Sequence, residues 1–149
     1  MRRIASVLVV AAVMTGAAAT AAELKGSAKH CSVPPDFAVS DGAGLPEDKK
    51  KFLGSFGGYW ADALYHTLLV ARVRDDGSAT VFYAYEKYEP WNIPRPGCST
   101  FSARIDDGVL RGKLRNGVDV QYRFSGPHTL DGRYDRNGQI TEGTFERLD

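Results

Sequence analysis

The segment Val118-Asp119-Val120-Gln121-Tyr122-Arg123-Phe124 alternates without a break, with Val118, Val120, Tyr122 and Phe124 on one side and Asp119, Gln121 and Arg123 on the other. Strand geometry sends successive side chains to opposite faces, so this stretch is a β-strand with one buried and one wet face. Turn residues bound it: Arg115-Asn116-Gly117 before and Ser125-Gly126-Pro127-His128 after. Asn-Gly supplies the positive φ angles that a tight hairpin demands.

Working outward, the same unit recurs. Phe101, Ala103 and Ile105 alternate with Ser102 and Arg104, and the turns Asp75-Asp76-Gly77-Ser78, Asp106-Asp107-Gly108 and Arg136-Asn137-Gly138 punctuate runs rich in Val, Tyr, Phe, Thr and Leu. We read eight strands, near Phe56–Trp60, Leu64–Arg74, Ala79–Lys87, Ser99–Ile105, Val109–Leu114, Val118–Phe124, Thr129–Asp135 and Gln139–Leu148. Such a meander hides its edges as a sandwich or as a closed up-and-down barrel. Short loops favour nearest-neighbour pairing and hence the barrel. The one long connection, Tyr88 to Cys98, would serve as a crossover in the first case and as a flap over a barrel mouth in the second.

Ahead of the strands, Pro46-Glu47-Asp48-Lys49-Lys50-Lys51-Phe52-Leu53 suits a short helix, with Pro in the first turn and acidic residues at its positive end. Residues 22–45, with Pro34-Pro35 and Gly42-Ala43-Gly44, form an irregular arm. Residues 1–21 read as a secretory signal peptide: Arg2-Arg3, an apolar run from Ile4 to Met14, then small residues including Ala19-Thr20-Ala21. The run is shorter than the roughly 20 residues that span a bilayer. The expectation is a periplasmic or secreted mature chain without a membrane span, and an all-β barrel domain over 46–149.

Composition agrees with a globular domain: 149 residues, 43% hydrophobic and 25% charged. The net charge of +1 becomes −1 once residues 1–21, which hold two basic and no acidic residues, are removed. Such a surface does not suit nucleic acid, which calls for a basic face. Cys31 and Cys98 are the only cysteines. In an oxidising compartment they pair in one way, pinning the arm to the segment before Ser99 and stabilising by on the order of 2–4 kcal/mol.

Phe52-Leu53-Gly54-Ser55-Phe56-Gly57-Gly58-Tyr59-Trp60 combines a helical lead-in with a Gly-x-Trp at the first strand, and the meander follows. With Leu64-Tyr65-His66-Thr67-Leu68-Leu69-Val70, Asp76-Gly77, Val81-Phe82-Tyr83-Ala84-Tyr85 and Trp91, this resembles small bacterial exported lipocalin-like, or calycin, barrels over Phe52–Leu148. The resemblance implies that Trp60 plugs the closed end, with Arg147 of the last strand packed across it.

No catalytic constellation emerges. Ser55 lacks the Gly-x-Ser-x-Gly elbow, Glu86 and Glu89 read as a solvated loop rim, and Asp135-Arg136-Asn137-Gly138 reads as a hairpin turn. His30, His66 and His128 have no metal-ligand spacing, and His66 reads as a packing residue. We expect no cofactor, metal or enzymatic activity. Most aromatics should fill the core, with Tyr83, Tyr85 and Trp91 the exceptions, lining a mouth above Trp60 and binding a small apolar or aromatic ligand. Alternatively a filled barrel presents the Tyr88–Cys98 loop to a protein partner, as an enzyme inhibitor or hydrolase accessory, with Trp91 as anchor. Arg72, Arg74, Arg104, Arg111, Arg123 and Arg133 either coat the exterior or, if two point inward, hold an anionic head group.

Overall fold

The computed structural model describes Cys31, Val33, Pro34 and residues 37–149. The signal peptide assigned to 1–21 and the first part of the arm lie outside the described residues. A short helix, α1 (Glu47–Lys50), precedes eight strands: β1 (Gly54–Trp60), β2 (Leu64–Val73), β3 (Ser78–Tyr85), β4 (Gly97–Asp106), β5 (Val109–Lys113), β6 (Asp119–Phe124), β7 (Thr129–Arg136) and β8 (Gln139–Arg147). Each pairs antiparallel with its chain neighbour, and β1 also pairs with β8, from Phe56 opposite Arg147 to Trp60 opposite Gly143. The sheet closes on itself, so the fold is an eight-stranded up-and-down barrel and no edge is left unpaired. The sandwich is thereby excluded, and the 88–98 connection is not a crossover.

Up-and-down winding sorts the connections by parity. The β1–β2, β3–β4, β5–β6 and β7–β8 connections meet at one end, and the other end receives α1 and the chain's last residues. Alternation fills the half next to α1: Phe56, Leu68, Val81, Leu110, Tyr122 and Phe145 are all fully buried. Phe52 closes this end, edge-on to Phe124 at 5.0 Å between ring centroids.

The arm lies outside the barrel. Cys31, joined to Cys98 with Cα atoms 6.2 Å apart, packs with Val33 and Phe37 over Leu69, Phe82 and Ala84 on the outer faces of β2 and β3. Cys98 sits inside β4, opposite Ala84, rather than in the loop before it. The register of β2 shifts between Val70 and Arg72, and the Ala71 carbonyl left by that bulge accepts a hydrogen bond from the Ser40 amide at 2.8 Å. Two buried faces on β2 explain its nearly unbroken apolar run, Leu68-Leu69-Val70-Ala71.

Candidate functional site

The inward rows of the upper half do not meet. They enclose a cavity of about 1040 Å³ that opens between the loops. Strand parity brings Trp60 from the end of β1, Tyr83 and Tyr85 from β3, and Trp91 from the long connection to its wall, so all four residues singled out for a mouth lie on one cavity.

Their positions differ in kind. Trp60 is 3% exposed at the floor, with Phe145 edge-on at 4.9 Å. Gly132 and Gly143 make room for its ring: a Cβ on Gly132 would stand 2.8 Å from Trp60 and 2.6 Å from Phe145. Tyr83 and Tyr85 follow up the wall as a near-parallel pair, centroids 6.1 Å apart. Trp91, 41% exposed, is the last residue of a short 3-10 turn (Glu89–Trp91) and stands edge-on to Tyr88 at 5.4 Å. Tyr88 forms a bridge with Ile93, and the Tyr88 amide donates to the Ile93 carbonyl at 2.8 Å, so the flap is a closed loop pinned at its base.

The expected pairing of Arg147 with Trp60 does not form. Among the described residues, the ring beneath the Arg147 guanidinium is that of Phe56, at 4.5 Å. The reason is direction. β1 starts beside α1 at the closed end and runs to the mouth, so Phe56 occupies the plug position while Trp60, four residues on, reaches the cavity floor. Arg147 donates to the Leu53 carbonyl at 2.8 Å and to the Lys51 carbonyl, and it faces the Asp149 carboxylate at 3.5 Å. It therefore ties the lead-in segment to the last strand as well as covering the apolar plug.

The wall also carries polar residues that sequence reasoning leaves out. His66, read as a packing residue, lies on the cavity wall at 3% exposure, its ring stacked on Tyr83 at 5.3 Å. Its Nε2 has no hydrogen-bond partner among the described residues. Burial pushes its pKa down to about 3, so the imidazole is neutral at physiological pH. The hydroxyl of Tyr122, fully buried behind Trp60, is likewise unpartnered, and burial raises that phenol's pKa. Burial also raises the Tyr83 pKa, reinforced by Tyr85 and opposed by the Ser99 hydroxyl. The floor around Trp60 and Tyr83 is aromatic, and the His66 Nε2 beside them is a hydrogen-bonding atom not used within the fold. Inward alternation along β2 places His66 in the row of Leu64 and Leu68, and that is the signal that finds it.

The six arginines weighed as interior cations, from Arg72 to Arg133, are all exposed on the outer face. Those that reach the cavity are others: Arg95 from the flap, Arg115 from the β5–β6 turn and Arg136 at the end of β7.

The chain matches no family model and no curated protein. Among solved structures it is similar to a de novo designed fluorescence-activating β-barrel, at 13% identity and a TM-score of 0.50, over 69% of this chain and 99% of that one. It is also similar to the fatty-acid-binding protein 1 of Echinococcus granulosus, at 8% identity and a TM-score of 0.46, over 67% and 99% of the respective chains. At 13% identity the likeness to the designed barrel is one of fold.

Proposed function

We propose that this protein is an exported, non-enzymatic barrel that binds one small apolar or aromatic molecule in its mouth. The observation that carries the reading is the cavity of about 1040 Å³ walled by Trp60, Tyr83, Tyr85 and Trp91. Ligand pockets begin at roughly 300 Å³, and a barrel of eight strands is otherwise narrow enough to be filled by its own side chains. Binding draws on apolar surface burial of about 25 cal/mol per Å². The His66 Nε2 at the floor orients a ligand group that hydrogen-bonds, since leaving a buried polar atom unpaired costs about 1–3 kcal/mol. Export rests on the segment 1–21 and fits the Cys31–Cys98 disulfide.

A second reading, a protein-interaction module using the Tyr88–Cys98 loop, draws on the exposed, proline-flanked Trp91. One experiment separates the two: native mass spectrometry of the protein purified from its own exported fraction, with tryptophan fluorescence during titration of N-phenyl-1-naphthylamine. A mature chain beginning at Ala22, a co-purifying small molecule and saturable quenching lost in Tyr83→Ala are the expected results. A bare mass with no saturable quenching overturns the ligand barrel and leaves the loop as the place to seek a partner.

A further inference from the structure

Among the described residues, three arginines and no carboxylate line the cavity. Arg95, Arg115 and Arg136 come from the flap, the β5–β6 turn and the end of β7, which up-and-down winding gathers at the same end. Among the described residues none of the three is in an ion pair, whereas the outer-face Arg133 faces Asp135 at 3.8 Å. Arg136 donates to the Tyr134 hydroxyl at 3.4 Å, and so does the Asn116 amide, which props the side chain on the wall. The acids of the same end stand off the wall: Glu89 is paired with Lys87 at 2.7 Å, and neither Glu86 nor Glu89 lines the cavity. In a chain with a net charge of only +1, this is a local concentration of unneutralised positive charge. Guanidinium groups bind carboxylate, sulfonate and phosphate oxygens in forked geometry.

The depth of the cavity offers the opposite environment. Trp60, Tyr83 and Leu64 are apolar surface, and the imidazole beside them, His66, is neutral at physiological pH. A charge placed at the floor would be desolvated with no counter-charge, which is prohibitive; at the mouth it keeps its water and meets arginine. Resting on the ligand-barrel reading above, we infer that the cavity takes an amphipathic organic anion, its apolar body inward on Trp60 and Tyr83 and its acid outward on Arg95, Arg115 and Arg136. Inorganic anions lack the body, and neutral apolar molecules leave the arginines unused.

The test uses two probes with the same aromatic body, 1-anilinonaphthalene-8-sulfonate and the uncharged N-phenyl-1-naphthylamine, against the full mature chain, Arg115→Gln/Arg136→Gln, and Arg104→Gln/Arg123→Gln. The last removes the same charge from the outer face. The expected result is that the mouth variant weakens sulfonate binding at least fivefold and the neutral probe less than twofold, while the outer variant changes neither. Raising salt from about 10 mM to about 1 M, which shortens screening from about 30 Å to about 3 Å, should weaken only the sulfonate. Equal losses in both variants, or none in the mouth variant, overturn the anion assignment while the neutral probe's binding keeps the cavity reading. Failure of both probes to bind the unmodified protein overturns both.

Discussion

The imidazole of His66 lies parallel to the ring of Tyr83, 5.3 Å between centroids and 10° between planes, with its Nε2 unpartnered in a buried position. A neutral histidine is thus built into the cavity wall, and acid must act on it.

The sign follows from which state takes the proton first. In the unfolded chain His66 titrates near 6.5, and in the folded barrel near 3. Between these values the unfolded state binds more protons, so stability is full above about pH 6.5 and falls as the pH is lowered towards about 3, by up to about 1.4 kcal/mol per unit. Urea midpoints measured across this range should show a shallower acid slope in His66→Phe than in the unmodified protein. Parallel slopes would mean that the histidine is solvated in the fold.

Tyr83 forms wall and Tyr59 does not: Tyr59 is 49% exposed, stacked edge-on to Tyr65 outside the barrel. Tyr83→Ala should weaken binding of a neutral aromatic probe about tenfold or more, in keeping with the about 1–3 kcal/mol that a buried aromatic contact supplies. Tyr59→Ala should leave it within twofold. Isothermal titration of the two variants checks the contrast, and equal losses would point to an outer binding surface.

Gly132 faces the Trp60 ring. A methyl there would come within 2.8 Å of Trp60 and 2.6 Å of Phe145, and both rings are buried with little room to retreat. Gly132→Ala should cost about 1–3 kcal/mol of stability and shift the Trp60 emission, read by denaturant titration and by fluorescence in Trp91→Phe. An unchanged midpoint would show that the floor can repack.

At the closed end, Arg147→Met keeps most of the apolar cover on Phe56 but leaves the carbonyls of Lys51 and Leu53 without their donor. A loss of about 2–3 kcal/mol is expected, as for hydrogen bonds to a charged group. Affinity at the mouth should not change, because the filled half of the barrel separates the two ends. A coupled loss of affinity would show that the ends communicate.

Cys31→Ser/Cys98→Ser should lower stability by about 2–4 kcal/mol and uncover Leu69 and Phe82, which the arm protects. Urea unfolding measures the first effect and amide hydrogen exchange on β2 and β3 the second. Retained near-ultraviolet dichroism is expected, since the barrel closes through β1 and β8 without the arm. If protection of Leu69 and Phe82 persists, the arm is held by packing alone.

Alternation, Asn-Gly and Asp-Gly turns and short loops are local signals, and by themselves they determined the eight strands and favoured nearest-neighbour antiparallel pairing, while the choice of barrel over sandwich came with the β1–β8 closure; the disulfide followed from having two cysteines. The placement of Tyr83 and Tyr85 on one face was equally legible, because period-two alternation does not depend on the rest of the fold. Which end of the barrel each side chain reaches depends on strand direction and closure. Hence Phe56, not Trp60, sits under Arg147, and Arg95, Arg115 and Arg136, distant in sequence, meet at one mouth. The cavity itself was a tertiary decision: it is the difference between the space eight closed strands enclose and the volume their inward side chains fill, and no single segment carries that difference.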